Sequence, residues 1–151
     1  MTSVGNLMAG KRGLIMGIAN NRSIAWGIAK ACASQGAEMA FTYQGEALEK
    51  RVRPLAAEAG ASIVLPCDVT DEASVNAVFA ELKRSWGRLD FLVHAIAYAD
   101  KAELDGRYVD TSAANFTKSM LISVYSLTAL AQRAEKLMTS GGSILTLTYY
   151  G

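Results

Sequence analysis

The sequence predicts an α/β fold in which a doubly wound parallel sheet carries helices on both faces. Short apolar runs alternate with helical segments from end to end of the 151 residues. Helices of this length between short strands imply right-handed crossovers and parallel pairing. The runs are almost continuously apolar, as expected for strands covered on both faces. We therefore expect one Rossmann-like domain over residues 1–151, with strand order 3-2-1-4-5.

The first part of the chain predicts three strands and two helices. Gly36 and Gly60 follow the two helical segments, where a glycine commonly ends a helix. The predicted elements are strand one at Gly13–Met16, helix one at Ser23–Ser34, strand two at Glu38–Tyr43, helix two at Glu46–Glu58 and strand three at Ser62–Leu65.

The remainder predicts two helices and two strands around a polar stretch, residues 100–110. Asp71 follows a threonine and precedes an acid, which is typical of a helix start. Gly87 is expected to end that helix, and Thr111 or Ser112 to cap the next. The predicted elements are helix three from this start to about Trp86, strand four at Leu89–His94, helix four to about Met138 and strand five at Ser143–Thr148.

Helix four has apolar residues on more than one face. One stripe comprises Phe116, Met120, Val124, Leu127 and Ala131, and further apolar side chains lie off it at Leu121, Tyr125 and Leu130. A helix that is apolar on two sides covers the sheet and a second surface. Either a partner subunit or a further part of the same protein would provide that surface.

Composition excludes several classes of function. The formal charge is +1, from 15 basic and 14 acidic residues, which gives no electrostatic basis for binding nucleic acid or an anionic membrane. No apolar run approaches the roughly 20 residues of a membrane span, and the N-terminus has no signal-peptide pattern. Cys32 and Cys67 do not form a disulfide framework, so we expect a reduced, cytoplasmic setting. The chain stops directly after strand five, and we expect the domain to be truncated there.

The segment from Gly17 to Gly27 is the most informative motif. It follows the apolar run Leu14–Met16 and opens helix one. A glycine at this junction allows a sharp turn and close approach to a ligand, and a helix N-terminus favours a phosphate. Ser23 is either a helix N-cap or a pyrophosphate ligand, and the two roles are compatible. The alternative is a turn that binds nothing.

Two further strand ends carry candidate nucleotide contacts. Gln44 follows strand two without a neighbouring Arg or Lys for a 2′-phosphate, and Glu46 would repel one, which favours NADH over NADPH. Asp68 follows strand three, where its carboxylate would accept a hydrogen bond from the adenine amino group. Val69 would then cover the adenine ring. Alternatively, Asp68 caps a turn. Cys67 is interpreted as a small buried hydrophobe.

The ends of strands four and five complete the predicted edge. His94, the single histidine, is interpreted as structural, and without a second histidine or a Cys/His cluster no metal site is expected. The small residues within the segment 95–99 would let a flat cofactor lie against the backbone. Tyr149 is either an acid or hydrogen-bond donor, or packs with Tyr150.

Together these pieces resemble the N-terminal part of bacterial NADH-dependent enoyl-acyl-carrier-protein reductases, divergent members of the short-chain dehydrogenase/reductase superfamily. The loop reads G-x5-S-x-A instead of the usual T-G-x-x-x-G-x-G, and His-Ala-Ile-Ala replaces an Asn-Ala-Gly-like segment. Ala95 and Ala97 stand where serine and glycine are common. The segments that carry the resemblance are 17–20, 23–25, 40–44, 67–69, 90–94 and 145–149.

The resemblance implies a role for each candidate residue. The second tyrosine and the lysine of the family would lie beyond Gly151, so the resemblance implies that residues 1–151 alone are inactive. The implied assignments are Gly17, Ser23 and Ile24 at the pyrophosphate, Gln44 at the adenosine ribose, Asp68 and Val69 at the adenine, Ile96 at the nicotinamide, Ala99 in the acyl pocket and Tyr149 as the first active-site tyrosine.

The implied reaction is reduction of a trans-2-enoyl group on acyl carrier protein by NADH, in bacterial fatty-acid elongation. The resemblance also implies a homotetramer, with no nucleic-acid or membrane partner. Two alternatives remain open at this point. One is another short-chain dehydrogenase/reductase acting on a carbonyl or alcohol; the other is a nucleotide-binding segment without activity of its own.

Overall fold

The computed structural model describes residues 5–150 and confirms the predicted fold class. Five parallel strands form one sheet in the order β3-β2-β1-β4-β5, as predicted. The strands are β1 at Arg12–Met16, β2 at Glu38–Tyr43, β3 at Ile63–Pro66, β4 at Phe91–His94 and β5 at Ser143–Thr146. Strand five therefore ends two residues earlier than predicted.

Helices connect the strands and cover both faces of the sheet. The helices are α1 at Ile24–Ser34, α2 at Glu46–Ala59, α3 at Glu72–Trp86, α4 at Ala113–Met120 and α5 at Ser126–Ala134. A π-helical turn, Leu121–Tyr125, joins α4 to α5. Two short 3₁₀ helices, Lys101–Glu103 and Tyr108–Asp110, lie within the stretch predicted to have no clear period.

Alternate residues of the central strand point to two separate cores, as strand geometry requires. Ile15 of β1 packs with Trp26 and Val52 on the side of α1 and α2. Its neighbours Leu14 and Met16 pack on the opposite side, against α3 and α5. Because β1 is buried on both faces, its residues are apolar without alternation.

The helix ends follow the predicted capping residues. Gly60 and Gly87 end α2 and α3 in the left-handed conformation, at φ 72° and 70°. The Asp71 side chain caps α3 by accepting from the Ala73 N–H at 2.9 Å, and Ser112 caps α4 by accepting from the Asn115 N–H at 3.1 Å. At α1 the C-cap is Gln35, and Gly36 follows it at φ 87°.

The prediction of one continuous helix four to about Met138 is wrong. The helix is divided into α4, the π-helical turn and α5, and it ends at Ala134. A π turn contains one residue more per turn than an α-helix. The hydrophobic periodicity of a sequence does not mark such an insertion, so the pattern looked continuous.

The stripe predicted on helix four is also not the face that the sheet buries. The buried residues are Ser126, Leu130 and Ala134, four apart along α5. Phe116, Met120 and Val124 are 49%, 44% and 51% exposed. Since the π turn shifts the helical register, the face inferred for the first half of the helix does not continue into the second.

The far edge of the sheet is largely uncovered in the described chain. All four residues of β5 are exposed, and β5 pairs with β4 alone. The apolar surface of α4 and the π turn is exposed as well, and it also includes Leu121 and Tyr125. Over residues 5–150, no helix is long and apolar enough to span a membrane.

Candidate functional site

A groove of about 430 Å³ opens at the carboxyl ends of the strands, the edge where doubly wound sheets bind ligands. The loops after β1, β2, β3 and β4 form three of its sides, and α4 with the π turn forms the rest. It is lined by Met16, Gly17, Ile18, Ala19, Thr42, Tyr43, Gln44, Leu48, Cys67, Asp68, Val69, Thr70, Ala95, Ile96, Ala97, Tyr98, Lys118 and Ile122.

Gly17 brings two of these loops into direct contact. Its φ is 101°, a conformation that side chains disfavour. A Cβ at this position would run into the backbone carbonyl of Ala95, which follows β4. Glycine is therefore required both by the turn and by the close approach of the β4 loop.

Ser23 occupies the N-cap position of α1 but does not cap with its side chain. Its hydroxyl donates to the carbonyl of Asn20 at 2.7 Å, and the Asn20 side chain accepts from the Arg22 N–H at 2.8 Å. These bonds hold the residues that precede α1 in a compact turn. Ser23 and Ile24 do not line the groove itself, and Ile24 is 68% exposed.

At the end of β2, Gln44 lines the groove beside Tyr43. The cation that folding brings to this strand end is Arg53 of α2, which lies over the Tyr43 ring at 5.6 Å. Glu49 binds the same guanidinium at 2.7 Å. The charge of Arg53 is thus already matched by a carboxylate of its own helix.

Asp68 closes a local turn, as one of the two sequence interpretations expected, and it also lines the groove. Its Oδ1 accepts from the Thr70 hydroxyl at 2.7 Å and from the Thr70 N–H at 2.8 Å. Hydrogen bonds from Thr70, followed by one from Gln44 and the charge of Lys118, lower the pKa of Asp68. The groove therefore contains an ionised carboxylate at neutral pH.

Cys67 is buried beside Asp68 at the base of the groove. Burial raises the pKa of its thiol to about 11. The thiol is therefore protonated at neutral pH and behaves as the small buried hydrophobe that the sequence suggested.

The loop after β4 is held by the helix opposite. Ser123, in the π turn, accepts from the Tyr98 N–H at 2.9 Å and donates to the Tyr98 carbonyl at 3.2 Å. Two residues on, the Asp100 N–H donates to the Asn115 side chain at 2.9 Å. These contacts fix the backbone on which Ile96 and Ala97 line the groove.

His94 lies beneath this loop and is fully buried. Its two ring nitrogens lie 2.9 Å from the Thr146 hydroxyl of β5 and 2.8 Å from the Ser126 hydroxyl of α5. Burial lowers the pKa of His94, so the ring is neutral at neutral pH. The imidazole joins β4, β5 and α5 and does not line the groove, in agreement with the structural interpretation.

The structure brings together five of the nine predicted site residues: Gly17, Gln44, Asp68, Val69 and Ile96. Ala99 and Tyr149 lie outside this lining, like Ser23 and Ile24. Tyr149 follows β5 and is 90% exposed, and Tyr150 is fully exposed. Within the described chain, no group of three His, Cys, Asp or Glu side chains is placed to hold a metal ion.

The lining residues that the sequence did not indicate include Leu48 of α2, Lys118 and Ile122. The Lys118 ammonium lies 4.7 Å from the centroid of the Tyr98 ring. Lys118 and Ile122 are four residues apart and so share one side of the helix. A lysine on a helix is usually interpreted as solvated, and only the packing of the helix across the groove reveals its position.

Comparison with known proteins identifies the family. The sequence profile described as enoyl-(acyl carrier protein) reductase matches residues 17–151, which include every strand of the sheet from β2 onward and the glycine loop after β1. The chain belongs to the enoyl-(acyl carrier protein) reductase family. This membership agrees with the resemblance seen in the sequence motifs.

Individual family members are similar along the whole chain. The enoyl-[acyl-carrier-protein] reductase [NADH] 1 of Rhizobium meliloti (strain 1021) is 64% identical over 151 residues, which are 100% of this chain and 56% of the relative. An enoyl-(acyl-carrier-protein) reductase from Anaplasma phagocytophilum, solved in complex with NAD, superposes with a TM-score of 0.96 at 57% identity and covers 99% of this chain and 57% of that one. The NADH enzyme from Aquifex aeolicus VF5 gives 0.93 at 48% identity, covering 96% and 58%.

The chain spans about half the length of the reductases it matches. The matched part contains the five described strands and the groove at their carboxyl ends. The family relation therefore applies directly to the groove described above.

Proposed function

We propose that the protein carrying this chain reduces trans-2-enoyl-acyl carrier protein to the saturated acyl form with NADH, in bacterial fatty-acid elongation. The observation that carries the proposal is the match to the reductase family over the residues that build the groove. Relatives at this level of identity are named NADH-dependent enoyl reductases.

The groove fits a dinucleotide. The close approach of Gly17 to the Ala95 carbonyl packs the loops after β1 and β4 against each other, and both loops line the groove. A volume of about 430 Å³ lies within the usual range for cofactor and ligand sites. Gly17, Ser23 and Ile24 would hold the pyrophosphate, because backbone N–H groups at the start of α1 favour an anion.

The other lining residues would hold the two nucleoside halves. The ionised carboxylate of Asp68 would accept a hydrogen bond from the adenine amino group, and Val69 would cover the adenine ring. Gln44 hydrogen-bonds the adenosine ribose through its amide. Ile96, on the loop that Ser123 fixes, would lie against the nicotinamide.

The end of β2 favours NADH over NADPH. Glu46 and the Asp68 carboxylate add negative charge near the adenosine ribose, where NADPH carries its 2′-phosphate. Arg53 is the cation beside β2, and its ion pair with Glu49 opposes its use as a phosphate ligand. A free cation at the strand end would instead favour NADPH.

The chemical step needs a hydride and a hydrogen-bond donor. Bound NADH supplies the hydride, which goes to C3 of the enoyl thioester. The Tyr149 hydroxyl would donate a hydrogen bond to the thioester oxygen, where negative charge develops, and C2 would then take up a proton that comes ultimately from water. Ala99 lines the pocket for the acyl chain.

We further propose that residues 1–151 form the dinucleotide-binding domain of a cytoplasmic enzyme that receives its substrate from acyl carrier protein. The enzyme assembles as a homotetramer. The exposed apolar surface of α4 and the π turn supports such an association, because surfaces of this kind are usually covered in the working protein.

Activity of the protein expressed from its intact gene tests this function. With crotonyl-acyl carrier protein we expect loss of NADH absorbance, a much slower reaction with NADPH, and no reaction with acetoacetyl-acyl carrier protein. NADH turnover with the acetoacetyl substrate alone would favour a carbonyl reductase of the same superfamily. The absence of turnover with the enoyl substrate would contradict the proposal.

A further inference from the structure

Lys118 is the one cationic side chain among the described residues that line the groove. Asp68 is the one carboxylate in the same lining. NADH carries two negative charges on its pyrophosphate, so an anionic cofactor would enter a groove that already contains an ionised acid. Without Lys118, the lining would carry a net negative charge toward that cofactor.

Lys118 is held across the groove from the strand ends. Its ammonium lies over the Tyr98 ring, 4.7 Å from the centroid, a cation–π geometry. Its charge also reaches Asp68, where it contributes to the lowered pKa of the carboxylate. Lys118 therefore lies between the loop after β4 and the end of β3.

The helix that carries Lys118 is anchored on both sides of it. At the start of α4, Glu103 accepts from the Ser112 N–H at 2.8 Å and from the Ser112 hydroxyl at 2.7 Å. Beyond Lys118, Ser123 binds the Tyr98 backbone at both its N–H and its carbonyl. The position of the lysine relative to Tyr98 is thus set by the fold, while its flexible stem lets the ammonium adjust to a ligand.

We infer that Lys118 is a cofactor-binding residue that offsets the charge of Asp68 and attracts the phosphates of the dinucleotide. The inference rests on the proposed function, because it takes an anionic dinucleotide as the ligand. An exposed lysine acts here as a point charge, so its contribution is electrostatic and is screened by salt.

The test measures the dissociation constant of NADH by fluorescence titration, with the protein expressed from its intact gene. Lys118→Met is expected to bind NADH about two- to fivefold more weakly at low salt, the range for an exposed charge pair. Lys118→Arg keeps the charge and should bind as the wild type does. At about 0.5 M salt the Met variant and the wild type should converge.

Lys83→Met is the matched control. Lys83 is exposed in the last turn of α3, which lies at the amino ends of the strands, opposite the groove. Its loss should therefore leave NADH binding unchanged. Saturating NADH should restore the kcat of Lys118→Met for crotonyl-acyl carrier protein, because the lysine acts on cofactor binding. Thermal melting of each variant verifies that the fold is intact.

Equal affinity of Lys118→Met and wild type at low salt would overturn the inference. A loss of affinity that persists unchanged at high salt, or that Lys118→Arg shares in full, would also overturn it. A wild-type protein that binds no NADH would contradict the proposed function itself, so the two failures are distinct.

Discussion

His94 and Ser126 are joined by a buried hydrogen bond of 2.8 Å between the imidazole Nε2 and the serine Oγ. The Ser126 hydroxyl donates to the Ile122 carbonyl at 2.6 Å, so it accepts from His94. Nε2 therefore carries the proton, and Nδ1 accepts from the Thr146 hydroxyl. One imidazole thus links β4, β5 and the helix beyond the π turn.

Ser126→Ala should destabilise the protein by about 1–3 kcal/mol, because the buried Nε2–H loses its acceptor. Urea unfolding measures the change. Ser85→Ala, which removes an exposed hydroxyl on α3, should change stability by less than about 0.5 kcal/mol. Equal effects of the two variants would contradict the structural role of the His94–Ser126 bond.

Acidification should destabilise the protein through His94. Burial lowers the pKa of His94 below its ordinary value of 6.5, so below pH 6.5 the unfolded chain binds a proton that the folded chain resists. The contribution of neutral His94 to the free energy of unfolding is fully present above pH 6.5. It falls as the pH drops from 6.5 toward the pKa of His94 in the folded protein. The slope is at most about 1.4 kcal/mol per pH unit.

His94→Gln provides the control for this pH dependence. The acidic groups with lowered pKa, such as Asp68 and Glu49, affect stability below their ordinary values of 3.8 and 4.5. Between pH 4.5 and 6.5, urea unfolding of the variant should therefore depend less on pH than that of the wild type. If stability depended on pH equally in the variant and the wild type, groups other than His94 would cause the pH dependence.

Gly17→Ala should weaken NADH binding and destabilise the loop, because its Cβ would meet the Ala95 carbonyl at an unfavourable φ. Gly27→Ala is the control on α1, where a Cβ meets nothing within 4 Å. There alanine should be neutral or stabilise by up to about 1 kcal/mol. Titration with NADH and thermal melting compare the two, and equal behaviour would argue against the close approach of the β1 and β4 loops.

If Tyr149 has the proposed role of donating a hydrogen bond to the thioester oxygen, Tyr149→Phe should lower kcat by about 10²-fold while NADH affinity is retained. Tyr150→Phe is the adjacent control and should leave kcat unchanged. Steady-state kinetics with crotonyl-acyl carrier protein distinguish them. If the Tyr150 variant were the impaired one, the assignment of the active-site tyrosine would be wrong.

Much of this architecture is encoded locally. Strand β2 was predicted at its observed limits, because its apolar run is bounded by turn residues, and Gly60 and Gly87 end their helices as their positions indicated. The strand order followed from the alternation of short strands and helices. Gln44 and Asp68 were expected at the groove because each lies within two residues of a strand end, and the carboxyl ends of parallel strands meet at one edge of the sheet.

The features that were missed depend on tertiary packing. The π turn adds a residue to a helix without changing its composition, so the buried face at Leu130 and Ala134 could not be extrapolated from Phe116. Lys118 reaches the groove only because this helix crosses the strand ends. Ala99 and Tyr149 were assigned through family resemblance, and their roles stay predictions.

The most direct test of the account follows the hydride itself. The protein from its intact gene is mixed with crotonyl-acyl carrier protein and NADH that carries deuterium at the transferable position of the nicotinamide, and the product is analysed by mass spectrometry and NMR. We expect a butyryl product with one deuterium at C3. A hydroxybutyryl product, deuterium at another carbon, or unchanged crotonyl thioester would contradict it.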